Sequence, residues 1–152
     1  MLKKLLDHKE QFAVVCVLVF MLACVRAFED LLFYDPLLDY FKSDFSALPI
    51  PHLDLFKLLS NLFLRYAVNS AFSLGIIYTI FKKTELVRFS AFLYGVFFVI
   101  LIMAFFFVLA FYEDNKMWLF YIRRFIIQPL LLLLFVPAFY FQEHIVSKNN
   151  IP

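Results

Sequence analysis

Residues 58–81 read LLSNLFLRYAVNSAFSLGIIYTIF. The stretch is long enough to cross the roughly 30 Å hydrocarbon core of a bilayer, which takes a helix of about 20 residues. Yet Asn61, Arg65, Asn69 and Ser73 recur in it at every fourth position. At about 100° per residue a four-residue repeat drifts slowly, so these side chains form one polar stripe. Ala67, Ala71 and Gly75 make a second four-spaced row, roughly opposite. Small rows of this kind let a neighbouring helix approach closely. A helix with a polar face and a packing face belongs at the centre of a bundle.

Three further stretches have spanning length: about 12–28, 89–112 and 117–141. Strand-type alternation is absent, which argues against a β-barrel. The whole chain of 152 residues is 64% hydrophobic and only 17% charged. Soluble domains run about 45–50% apolar, and a domain this small has too little interior to hide the excess. The expected architecture is therefore an all-α integral membrane protein, one domain over 1–152 with four transmembrane helices. The formal charge of +2 offers no basic face for nucleic acid. Lys3 and Lys4 ahead of the apolar run Ala13 to Val25 imitate a signal peptide. Because three more spans follow, a retained first transmembrane helix is expected instead.

Lys3, Lys4 and Lys9 flank the first span, and Lys82, Lys83 and Arg88 flank the link between the second and third. Positive charge collects on the cytoplasmic side, so both termini are expected there and the 29–57 loop outside. That loop carries Glu29, Asp30, Asp35, Asp39, Asp44 and Asp54. Asp35-Pro36 is a good helix start, a capping carboxylate followed by Pro at the first helical position. Leu37, Leu38, Tyr40 and Phe41 then suit a short interfacial helix. Leu48-Pro49-Ile50-Pro51 is expected to be extended, and Asp54 to cap the second span.

Ionisable residues inside a span are costly, so they are the first candidates for function. On this orientation Arg65 lies about 10 Å below the outer surface, from a rise of 1.5 Å per residue. Arg123 and Arg124 lie at similar depth, Arg26 ends the first span on the same side, and Gln128 shares a face with Arg124. Pro129 is expected to kink the fourth span by leaving the Phe125 carbonyl without its helical partner. Two readings stay open. In the structural one, Glu29, Asp30 and Asp35 pair with the arginines and fix the loop on the bundle, since the planar guanidinium matches a carboxylate. In the functional one, Arg65, Arg123 and Arg124, with Asn61, Asn69 and Gln128, form an outward site for an anionic lipid, a small solute or a partner. Arg65 and Arg124 are the favoured residues there. Cys16 and Cys24 lie eight residues apart in one run, too far to pair within a helix. A thiol enzyme built on Cys24 and His52 is a further alternative, although Cys24 reads most simply as a small packing residue. No metal set, phosphate loop, cofactor site or catalytic constellation is expected.

Three segments carry a family resemblance: FEDLLFYDPLL at 28–38, RYAVNS at 65–70 and YIRRFIIQP at 121–129. Together they resemble the small exosortase F system-associated membrane proteins of Gram-negative bacteria, over most of the chain. The resemblance implies an inner-membrane location beside exosortase F, a multi-pass thiol transpeptidase-like enzyme acting on C-terminal sorting signals. It transfers no functional residue. Exosortases resemble one another through a Cys, an Arg and a His at outward helix ends. Here Arg65 comes without matching Cys and His motifs, which implies a companion of the enzyme and not a second one.

Overall fold

The structure, a computed structural model, describes residues 8–33, 35–44, 47, 49, 52, 54–111, 116–128 and 130–150. Among these every regular element is helical. They are α1 (Lys9–Ala27), the single turn α2 (Glu29–Leu32), α3 (Pro36–Lys42), α4 (Leu55–Phe81), α5 (Thr84–Phe111), α6 (Lys116–Ile127) and α7 (Leu130–Asn149). Three of them, α1, α5 and α7, are long and apolar enough to cross a membrane. Phe20 on α1, Phe92 and Met103 on α5, and Leu133 and Phe141 on α7 are all exposed, as expected of helices coated by lipid.

The helix carrying the polar stripe, α4, touches α1, α5, α6 and α7. Its buried residues include Arg65, Asn69 and Ser73, so the stripe faces protein. The small row meets α1: a Cβ placed on Gly75 would lie 3.4 Å from Leu18 Cδ1. Val15, Leu18 and Leu22 of α1 are partly buried against the core, while Ala71 is exposed. On its other side α4 meets α5 through aromatic pairs, Tyr66 with Tyr94 and Phe63 with Phe98. The Tyr66 hydroxyl donates to the Tyr94 carbonyl at 2.7 Å. α7 closes the lower bundle, with Phe135 on Tyr94 and Phe139 on Phe81. The phenylalanine block of α5 divides between roles, Phe105 fully buried and Phe107 exposed.

The ends follow local chemistry. Asp54 caps α4, accepting from the Lys57 N–H at 3.4 Å. Lys82 ends it in the left-handed conformation (φ 53°) and donates its N–H to the Tyr78 carbonyl. That cap reverses the chain within two residues, so α4 and α5 form a tight antiparallel pair. α1, α4 and α5 each begin three to five residues before the apolar stretches that mark them. The fourth stretch departs more. The single kinked helix expected over 117–141 is two helices, the first ending at Ile127 and the second running from Leu130 to Asn149. Of Leu48-Pro49-Ile50-Pro51, only Pro49 lies within the described residues.

The close approach at Gly75 has a direct consequence. Gly75→Ala is expected to be tolerated, because 3.4 Å is ordinary contact. Gly75→Leu should drive α1 off α4 and cost about 1–3 kcal/mol, the usual price of overpacking. Thermal unfolding in detergent measures both.

Candidate functional site: a buried arginine–carboxylate cluster

Arg65 emerges from the middle of the α4 stripe and is 2% exposed. A guanidinium cannot lose its proton to escape burial, so it must find counter-charge. It donates Nη1 to Asp35 Oδ2 and Nη2 to Glu29 Oε2, both at 3.1 Å. Its carbon also sits 5.0 Å from the centroid of the Phe33 ring, a favourable cation–π distance. Arg123 approaches from α6. Its Nε donates to Asp35 Oδ2 at 3.1 Å and its Nη2 to the same oxygen, with the Phe41 ring 5.8 Å away. One carboxylate oxygen of Asp35, whose side chain is 3% exposed, thus binds two guanidiniums from two helices. Its other oxygen is buried without a hydrogen bond. Glu29 Oε2 accepts in addition from Arg26 at 2.7 Å.

This changes the expected role of Asp35. It occupies the N-cap position of α3, but its side chain makes no capping bond. Magnitude explains the choice. A side-chain cap contributes about 1 kcal/mol, whereas a buried charge robbed of its partner costs about 3–5 kcal/mol. α3 forms without the cap because Pro36 presets the first turn and Leu37 and Tyr40 are buried.

The other expected site residues fall as follows. Asp30 pairs with Lys42 at 3.2 Å on the surface and not with an arginine. Arg124, favoured from the sequence, is exposed, and its neighbour Arg123 turns inward. The missed signal was periodicity. Leu119, Arg123, Ile126 and Ile127 share one helical face and are the buried residues of α6. Asn61 donates to the Lys57 carbonyl of its own helix, outside the cluster. Asn69 donates to the Ile127 carbonyl at 2.7 Å. The α6–α7 break therefore exposes the Ile127 oxygen, which α4 satisfies, instead of merely freeing Phe125. Gln128 is half-buried at that break.

A cavity of about 340 Å³ opens beside the cluster between α1, α4 and the break. Arg26, Glu29, Arg65, Asn69 and Gln128 line its polar end. A second, of about 840 Å³, lies at the other end of α4 near the Lys83–Glu143 ion pair. Cys16 and Cys24 are free thiols, and His52 is exposed. Among the described residues no group of three metal-ligating side chains occurs. Comparison with protein-family models, with curated proteins and with solved structures found no match for this chain. Its chemistry must therefore be argued from its own geometry. Arg65 and Arg123 are committed to internal carboxylates, and the cluster acts first as a clasp between the 29–42 segment and the bundle.

The clasp gives a graded expectation. Asp35→Asn should cost about 3–5 kcal/mol, since two buried guanidiniums lose their shared acceptor. Glu29→Gln, at the rim, should cost about 1–3 kcal/mol. Arg124→Gln, on the surface, should stay within about 0.5 kcal/mol. Equilibrium unfolding in mixed micelles measures all three.

Proposed function

We propose that the chain is a four-span protein of the bacterial inner membrane, with both termini cytoplasmic, serving as a non-catalytic accessory or assembly partner of exosortase F. The observation that carries this reading is the neutralisation of Arg65 and Arg123 by the chain's own Asp35 and Glu29. Arginines that act on a substrate keep donors open to it; these hold a loop in place. The product of that hold is a fixed apolar surface, with Phe28, Leu31 and Leu32 exposed beside the clasp. A surface of this kind suits contact with another membrane protein.

The packing of the bundle supports the fourfold crossing. α4 carries polar residues across because its neighbours cover them, and α6 with α7 makes the last passage. The lysine-rich 82–83 turn lies inside by the positive-inside rule, which puts the clasp outside. In a variant lacking Cys16 and Cys24, Ser43→Cys should react with a membrane-impermeant maleimide in intact cells, and Lys148→Cys only after lysis. The reverse pattern would invert the topology.

The resemblance at 28–38, 65–70 and 121–129 supplies the partner. Tagged protein should copurify or crosslink with exosortase F in mild detergent, and its deletion should impair sorting. Loss of both associations, with sorting intact after deletion, rejects the partner role. Cys24→Ala should leave sorting normal; a dead Cys24→Ala variant at normal abundance would instead reveal a thiol enzyme.

A further inference from the structure

The clasp does not balance. Three guanidiniums, Arg26, Arg65 and Arg123, meet two carboxylates, Glu29 and Asp35, which leaves one positive charge. Arg65 and Arg123 are buried against their partners, so the surplus resides on Arg26, whose side chain is 56% exposed. Arg26 spends one Nη on Glu29 and lines the 340 Å³ cavity, and a guanidinium has further N–H donors beyond that one bond. The cavity is two-sided. Arg26 and Gln128 stand at its polar end, while Leu22, Val25 and Leu133 line the rest. Leu133 is largely exposed, so the apolar end runs out to the lipid-facing surface of α7. Leu130 and Leu133 also place the first turn of α7 in the wall. The Leu130 N–H is taken by the Gln128 carbonyl at 2.8 Å, and the dipole of the helix adds attraction for an anion there.

We propose that this cavity binds one membrane phospholipid. Its phosphodiester is held by Arg26 and Gln128, and an acyl chain lies along Leu22, Val25 and Leu133. A phosphodiester carries one negative charge, the amount the clasp leaves unmatched. A soluble anion would use the polar end and leave the apolar end empty, whereas a lipid uses both. The volume is at the small end of ligand cavities, roughly 300–1,000 Å³. It suits a headgroup and the first part of a chain, with the remainder in the bilayer. The proposal concerns this chain alone and stands apart from any association with exosortase F.

The test is native mass spectrometry of the full chain released from nanodiscs of phosphatidylcholine and phosphatidylglycerol in equal parts. One phospholipid should remain bound per chain. Arg26→Gln should weaken retention about tenfold, the effect of removing one charge-assisted hydrogen bond. Because Arg26 forms only an exposed pair, its loss should leave the melting temperature in lipid-free detergent unchanged. Val25→Trp, which fills the cavity and keeps every charge, should also abolish retention. Three results would overturn the proposal: unchanged retention in both variants, equal retention of diacylglycerol, or equal binding of glycerol phosphate. The last would mark a soluble-anion site.

Discussion

The two buried arginines of this bundle depend on Asp35. Its carboxylate joins a loop to α4 across 30 residues of sequence and to α6 across 88. Moving charges out of water costs several kcal/mol per ion, and attraction repays this only when the geometry is good. Here two guanidiniums converge on one oxygen, Glu29 shares the load on Arg65, and two aromatic rings cover the flanks. Without the 29–42 segment, Arg65 and Arg123 would lose their counter-charge. The clasp therefore does more for specificity than for raw stability. It fixes the rotation of α6, since only the face holding Leu119, Arg123, Ile126 and Ile127 satisfies both packing and charge.

The same stripe on α4 answers a second demand. A buried irregularity of the backbone survives only where protein satisfies its polar groups. The break between α6 and α7 is such an irregularity, and Asn69, one turn from Arg65, donates to the Ile127 carbonyl laid open there. Ser73, a turn further, turns back onto the Asn69 carbonyl of its own helix. Residues spaced by four thus serve different partners in succession: carboxylates at Arg65, a broken helix at Asn69, then the helix itself at Ser73. The stripe is a column of local solutions, which explains why it tapers into Ile77 and Phe81.

Much of this was readable from the chain. Hydropathy located the long helices, the four-residue repeat placed α4 at the centre, and the small row with Gly75 marked the approach of a neighbour, which the structure shows to be α1. Glu29 and Asp35 were identifiable as counter-ions because carboxylates in the adjoining loop are the nearest source of charge. What was not readable depended on angle and competition. Arg123 and Arg124 differ by one position, about 100° of rotation, and the apolar face of α6 decides between them. Asp35 had two legitimate uses, and only the spatial meeting of α4 with α6 shows that pairing outweighs capping. Pro129 announced a disturbance, but whether a helix bends or breaks depends on a donor from elsewhere, here Asn69. The rings of Phe33 and Phe41 carried no local mark at all.

These features describe a protein whose buried charge is spent on its own architecture, with Arg26 at the exposed edge. The central claim is that Asp35 and Arg65 act as one unit. A double-mutant cycle with Asp35→Leu and Arg65→Leu, read by equilibrium unfolding in mixed micelles, addresses it most directly. The account requires the double variant to be more stable than the summed single losses imply, by about 1–3 kcal/mol, because each single change strands a buried charge. Additivity within about 0.5 kcal/mol would contradict it, since independent residues add in that way.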